Sequence, residues 1–322
     1  MYMVFLGRGE PALSMEREVI RMVSLQTLCA RLRLLLDTFE HEGALGGKCK
    51  WSGVANLLFP AACIGRVQTD ASTADLYDAG LYCGQAADFD QQQSEILDDY
   101  LSALVRFRFV WNAYETVRDN SQAGRLMKSR NPANRETLAS RVPRAHLEII
   151  DRVYGSCRSI TQDVHKIWEW MGRKPAESVG LGKAGLLVKG FRDYLFHGHE
   201  EPPSPYDQDD QFRMALDGEE AISLHSYRLI AFTRLTLHLM QALVHAELRP
   251  SYEIETADVP FLSKELEAEF LLPCNFLLIL ATHWPEGRGS ALSPKEIVEL
   301  AADCHVGTES MGWILGAVGR AA

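Results

Sequence analysis

The sequence predicts a mainly α protein: a helical bundle of four long helices, preceded by an N-terminal extension or small mixed module and followed by a C-terminal helical appendage. Three observations predict this. Apolar residues recur every three to four positions through several long segments, the spacing that lines one face of an α-helix. Gly and Pro punctuate several of the segment ends, where each breaks a helix for its own steric reason. Hydrophobic residues make up 47% of the 322 residues, which supplies a sizeable core and excludes global disorder.

The first helix is expected over 15–38, where Val19, Ile20, Val23, Leu28, Leu32 and Leu35 lie near one stripe. Gly43, Gly46 and Gly47 end that pattern. From Trp51 to Phe89 short apolar runs alternate with Gly, and short strands and short helices fit them equally. Residues 1–90 are therefore set apart as an N-terminal module. A long helix follows from about Gln93 to Arg118, with Tyr100, Leu104, Phe107, Trp111 and Tyr114 as a buried aromatic seam.

Residues 119–143 are polar and basic, carrying Arg125, Lys128, Arg130, Arg135 and Arg141 between the Asn131-Pro132 and Val142-Pro143 breaks. A connection of that length between packed helices is often functional. A second long helix is expected over 144–171, facing inward through Leu147, Ile150, Val153, Ile160, Val164 and Ile167. A Gly- and Pro-containing connection over 173–184 leads into a third, whose Leu186, Leu187, Val188, Phe191, Leu195 and Phe196 recur at helical spacing. Gly198 then suits a left-handed cap, and Pro202-Pro203 block continuation. After an acidic loop, a fourth helix is expected over 219–247 with Ile222, Leu229, Phe232, Leu239 and Leu243 apolar. These four helices form a bundle over 91–250. Residues 251–322 read as an acidic helical extension, with Ser293-Pro294-Lys295-Glu296 as a helix start running to about Cys304.

Charge narrows the functional classes. The net charge of −10 argues against indiscriminate nucleic-acid binding over the whole surface. The distribution is uneven, however. Residues 101–160 hold eleven Arg or Lys against five Asp or Glu, and residues 251–322 hold four against eleven. A local phosphate-binding face on an acidic protein would give this asymmetry, and so would a solvated basic loop. No apolar run reaches the ~18 residues needed to span a bilayer, and Met1 to Leu6 lacks the basic start of a secretory signal. Cys29, Cys49, Cys63, Cys83, Cys157, Cys274 and Cys304 are odd in number and never arranged as Cys-x-x-Cys. They read as reduced, mostly buried thiols of a cytoplasmic protein.

The chemistry-bearing segment is Arg192-Asp193-Tyr194-Leu195-Phe196-His197. His accepts or donates a proton near neutral pH, and the planar fork of Arg clamps phosphate oxygens. The pair therefore suits cleavage of a phosphodiester. Residues five apart on an ideal helix lie ~140° apart around its axis. The two side chains converge only if the helix end distorts or a second subunit completes the site, which hints at a homodimer. Other constellations are weaker. His197, His199, Glu200 and Glu201 in a Pro-bounded loop lack ligand spacing, so no metal and no cofactor is expected. Gly180-x-Gly182-x-x-Gly185 matches a dinucleotide fingerprint but does not follow a strand in a βαβ unit.

The segment Phe191-Arg192-Asp193-Tyr194-Leu195-Phe196-His197-Gly198 resembles the signature of HEPN domains, the higher eukaryotes and prokaryotes nucleotide-binding family. Tyr100-Leu101 through Phe107-Arg108-Phe109-Val110-Trp111-Asn112-Ala113-Tyr114-Glu115 resembles the aromatic first helix of its prokaryotic members. The resemblance covers residues 92–248. It implies a HEPN-like bundle and a metal-independent endoribonuclease of the toxin, abortive-infection or antiviral kind. Arg192 and His197 would be catalytic, with Asp193 orienting one of them. The site would be composite across a homodimer, its partners RNA and a possible antitoxin or defence protein. Glu115 and His199 are possible assisting groups, and Arg125, Lys128, Arg130 and Arg135 are candidate RNA contacts. The alternative is a non-catalytic HEPN-like nucleotide-binding or protein-interaction module. A metal-dependent hydrolase using His197, His199 and the nearby Glu residues is a third reading.

Overall fold

A computed structural model describes residues 24–41, 43–46, 49–74, 83–162, 164–172, 180–197, 202–204, 223–248, 253–255 and 271–273. These are mainly helical. In chain order the helices are α1 (Leu25–His41), α2 (Trp51–Cys63), α3 (Gly84–Asn120), α4 (Gln122–Lys128), α5 (Pro132–Ala139), α6 (Arg144–Ser159), α7 (His165–Gly172), α8 (Leu181–Phe196) and α9 (Leu224–Glu247). A short 3-10 turn spans Ala71–Ala74. The expected helix over 15–38 is present from Leu25, and its earlier turns lie outside the described residues.

The centre of the architecture is α9. It is buried around most of its circumference, from Leu229 and Phe232 to Leu243 and Val244, and it packs against α1, α3, α4, α6 and α8. Apolar residues on every side of a helix require neighbours on every side. Among the described residues α9 alone is long and apolar enough to cross a membrane, and 83% of its most apolar window is buried inside the protein. The helix begins five residues after the position expected from the sequence. Ser223 stops it there, its hydroxyl accepting from the Ser226 N–H at 3.1 Å as an N-cap.

Residues 24–74, placed by the sequence in a separate module, share one core with the bundle. Leu28, Leu32, Leu35 and Phe39 of α1 and Val54 and Leu58 of α2 are buried in the same cluster as Phe107, Phe191 and Phe232. The expected boundary near residue 90 falls inside α3. The α1–α2 corner is held by polar contacts. The Gly43 and Ala44 N–H groups donate to the Glu40 and Phe39 carbonyls at 3.1 and 2.8 Å, with Gly43 at φ 69°. This is the glycine-dependent way to close a helix end. The Glu40 carboxylate accepts from the Trp51 N–H (3.0 Å) and the Ser52 N–H, placing a negative charge on the start of α2. Beyond α2, Asp98 of α3 accepts from the backbone and hydroxyl of Thr69 at 2.6 and 2.8 Å.

Two expectations about helix boundaries are corrected. The basic stretch 119–143 is not a loop but two short helices. Ser121 caps α4 by accepting from the Gly124 N–H at 2.9 Å, and Asn131 caps α5 by accepting from the Ala133 N–H at 3.1 Å. The Asn131-Pro132 break is thus a helix start, with Pro at the first helical position. Gly124 makes the α3–α4 corner possible, since a side chain there would meet the Arg118 carbonyl 2.1 Å away. The helix expected over 144–171 is broken between Ser159 and His165. Its freed carbonyls find distant donors: Arg228 Nε donates to Ile160 O at 2.9 Å, and the Trp168 indole N–H donates to Thr161 O at 2.5 Å. In the C-terminal region, Glu253–Glu255 and Leu271–Pro273 pair as antiparallel strands, Ile254 opposite Leu272. Those six residues are extended rather than helical. The helix expected from Ser293 lies outside the described residues.

Candidate functional site

Helix α8 brings the Arg192–His197 segment to the side of α3. Its N-terminus is set by Gly180 at φ 74°, so that glycine serves a backbone conformation at a helix start. Gly185 permits close approach to Met127 of α4: an added Cβ would lie 2.3 Å from the Met127 methyl and 3.2 Å from the Tyr114 hydroxyl. Further along, Phe191 is fully buried. It stacks on Phe232 of α9 with ring centres 3.8 Å apart and meets Phe107 of α3 edge-on at 5.6 Å. Phe191 therefore fixes the rotation of α8, and the adjacent residues emerge beside α3.

Arg192 is ordered on two sides. Its Nη1 donates to Asp193 Oδ1 at 2.7 Å, and its Cζ lies 5.4 Å from the centre of the Trp111 ring, within cation–π range. The Nε is buried and has no hydrogen-bond partner among the described residues. Asp193 also accepts from Lys189 Nζ at 2.6 Å, the i, i+4 partner on the same helix. Burial alone would raise the Asp193 carboxyl, but the hydrogen bonds and charges of Lys189 and Arg192 hold it below its ordinary value. It is an anion that orients Arg192, not a proton acceptor.

The Asp193 contacts make stability depend on pH in a definite direction. A carboxyl depressed in the folded state stabilises above its unfolded value of ~3.9 and loses that contribution as pH falls through the folded value. The melting temperature of Asp193→Asn should therefore lie below that of the parent near neutrality, and the gap should shrink below pH ~4. Thermal melts across a pH series measure it. A gap unchanged down to pH 3 would show that the carboxylate charge is not what stabilises.

His197 ends the helix. It is exposed, sits at φ −93° and ψ 14°, and donates its backbone N–H to Asp193 O at 3.1 Å. The helix stays regular up to this point. No hydrogen bond or ion pair joins the Arg192 and His197 side chains among the described residues, as the ~140° separation requires. Just before it, Phe196 is 39% exposed. The guanidinium carbons of Arg108 and Arg192 lie 4.7 and 5.9 Å from its ring centre.

The facing surface of α3 carries Arg108 and Arg118, to which the sequence reading gave no role in the site, beside Trp111 of the aromatic seam and the possible assisting group Glu115. Arg108, Trp111, Glu115 and Arg118 fall at i, i+3, i+7 and i+10, one stripe of a helix. Trp111 is buried, with Arg118 5.5 Å and Arg192 5.4 Å from its ring centre. Arg118 in turn binds Glu115 (3.1 Å) and Asp119 (3.0 Å), and Asp119 binds Lys128 (3.2 Å). The stripe was visible as spacing. Its pairing with Arg192 needed the fold.

The other sequence-derived candidates are placed as follows. Glu115 is paired with Arg118 at 3.1 Å, and among the described residues no hydrogen bond or ion pair joins it to Arg192 or His197. Arg135 Nε donates to Ser129 O at 2.9 Å, and Arg125 and Arg130 are exposed. Met127 meets α8 at Gly185, seven residues or ~10 Å along the axis from Arg192. Helix α4 thus meets α8 away from Arg192. His199 lies outside the described residues. Of the five described cysteines, Cys29, Cys49 and Cys157 are buried and Cys63 and Cys83 exposed, all as free thiols. Burial pushes the Cys29 thiol up to about 12, so it stays protonated. Tyr114, also pushed up by burial, stays neutral and donates to Met127 Sδ at 3.7 Å. Compared with known proteins, the chain matches no family model, no curated protein and no solved structure.

Proposed function

We propose that this protein is a metal-independent endoribonuclease of the HEPN type, acting as a homodimer. The observation that carries the reading is Arg192, held by Asp193 and Trp111 at the end of α8 that also presents an exposed His197. In its neutral form His197 takes the proton of a ribose 2′-hydroxyl, and that oxygen attacks the adjacent phosphorus. The P–O5′ bond breaks and the departing 5′-oxygen takes a proton back from the imidazolium so formed, leaving a 2′,3′-cyclic phosphate and a 5′-hydroxyl with no net change in protons. Arg192 stabilises charge building on the nonbridging oxygens. With Nη1 fixed on Asp193, its fork is preorganised for phosphate. Arg192 and His197 diverge within one chain, so two copies meet across a two-fold axis and share one cleft that holds both pairs. Cleavage of this kind suits a toxin or an antiviral or abortive-infection effector, restrained by an antitoxin or defence partner.

One feature favours a second reading. A module that only binds a nucleotide needs the ordered Arg192 and not its convergence with His197. Incubating the purified full-length protein with RNA in excess EDTA separates the readings. The expected result is cleavage unaffected by EDTA, cyclic-phosphate ends, and no cutting of DNA of the same sequence, which lacks the 2′-hydroxyl. Intact RNA with retained binding would favour the binding module. Activity lost in EDTA and restored by zinc, magnesium or manganese would favour a metal-dependent hydrolase.

A further inference from the structure

Three buried histidines gather in the core, apart from the end of α8. His146 lies in the first turn of α6, and His238 and His245 lie on α9. They are 0%, 3% and 2% exposed. Residues 238 and 245 are two helical turns apart, so both project from one side of α9. The His146 ring meets both, its centre 5.6 Å from that of His238 and 5.3 Å from that of His245. His146 Nε2 lies 3.0 Å from the His238 carbonyl oxygen. A carbonyl only accepts, so that nitrogen carries a proton and donates across the contact. Near the far end of α6, Arg228 of α9 donates to Ile160 O. The two helices are therefore antiparallel and clasped at both ends.

We propose that this trio is an acid-sensitive switch: neutral, the imidazoles join α6 to α9, and protonated, they part the two helices. The switch is independent of the ribonuclease reading. A buried imidazolium forfeits its hydration, and a second one beside it meets like charge. In the unfolded chain each ring takes its proton near the ordinary ~6.5. Groups held neutral when folded and protonated when unfolded stabilise above that value, and the contribution is lost as pH falls below it. The helix ends act unequally. The positive end of α6 opposes a charge on His146, whereas the negative end of α9 favours one on His245, which protonates first. Among the described residues the other buried charged groups are Arg31 of α1, Asp98 and Arg106 of α3, and Arg228 and Glu247 of α9. Asp98 is held by Thr69, Arg106 by the Ala61 and Ile64 carbonyls, and Arg228 by Ile160. Glu247, two residues beyond His245, projects from another side of α9 and accepts from the Ala123 N–H. Arg31 is a further cation on a helix packed against α9. The charged side chains of α4, α6 and α8 are partly or fully exposed. Burial keeps the Cys29, Cys49 and Cys157 thiols and the Tyr114 hydroxyl neutral. Helix α6 also packs against α8, so its release uncovers one side of the helix that carries Arg192.

Denaturant unfolding of the full-length protein across pH ~5–8 measures the switch, because the slope of stability against pH counts the protons taken up on unfolding. The wild type should take up about two or more between pH ~7 and ~5, where imidazoles titrate. His146→Gln should take up at least about one fewer. Its amide still donates to the His238 carbonyl but does not titrate. His165→Gln, at an exposed position of α7, should keep the wild-type slope. Hydrogen exchange gives a second readout in the wild type, with no substitution. After correction for intrinsic rates, the amides of α6 should lose protection on acidification before those of α2. A slope in His146→Gln equal to that of the wild type would overturn the switch. So would loss of protection in α6 and α2 together, which would make the acid transition global. Should His146→Gln not fold, exchange in the wild type decides by that same criterion.

Discussion

His197→Ala is expected to abolish RNA cleavage while leaving the fold and the melting temperature unchanged. A general base within reach of its proton typically contributes ~10²- to 10⁴-fold, and His197 is exposed, with only its backbone N–H used by the helix. Its side chain holds nothing in the core together, so a folded but inactive variant is the specific outcome. Gel assays on RNA and far-ultraviolet circular dichroism measure the two halves. Mixing His197→Ala subunits with wild type should lower activity more than dilution would, because a composite cleft needs both copies. Cleavage retained by folded His197→Ala would sink the mechanism, and cleavage by a strict monomer would sink the shared cleft.

The largest effect on stability is expected for Phe191→Ala. Phe191 is fully buried and joins three helices, stacked on Phe232 and edge-on to Phe107. Truncating such a ring removes apolar burial, leaves a cavity and forfeits the aromatic contacts, a loss of ~3–5 kcal/mol. Stability totals are typically ~5–15 kcal/mol, so this one change consumes a large share. Denaturant titration should show a lowered midpoint with a similar slope. Phe191→Leu refills part of the space and should recover part of the loss. The same variant should impair cleavage, since Phe191 sets the rotation that lays Arg192 over Trp111. A loss below 1 kcal/mol would mean that the ring is not the junction its contacts describe.

The long helices were legible because burial writes itself as an apolar repeat. Tyr100, Phe107, Trp111 and Tyr114 were recognisable as one seam, and all four are buried on α3. Helix α2 was not, because Gly53 and Pro60 interrupt a run that packs mostly through Trp51, Val54 and Leu58. The break between α6 and α7 was hidden for a different reason. Ile160, Val164 and Ile167 keep helical spacing across it, and the donors that satisfy the broken end are Arg228 and Trp168, the first of them 68 residues away. Helices α4 and α5 were missed because they are short and polar. Their sequence signal is in the caps, Ser121 and Asn131, not in periodicity.

Much the same holds for the site. The Arg192–Asp193 contact joins chain neighbours and could be anticipated. The approach of Arg192 to Trp111 beside Arg118 could not, since it depends on how α8 is turned against α3. Aromatic residues on a helix read as core. Only tertiary placement shows which of them also carries a cation.

The corner where α1, α2 and α9 meet governs the order in which this chain can mature. Leu45 bridges Leu248, the Gly46 N–H donates to Glu247 O at 2.9 Å, and the Glu247 carboxylate accepts from the Ala123 N–H at the start of α4. Residues made roughly two hundred positions apart close on one another there. On the ribosome, α1, α2 and α3 emerge first and can associate locally, but the surfaces reserved for α9 stay uncovered until residue 248 has left the exit tunnel. Contacts this distant in sequence slow folding and lengthen the exposure of apolar faces. Chaperone engagement during synthesis would therefore centre on the nascent α1–α3 unit, and the last turn of α9 would act as the latch that releases it.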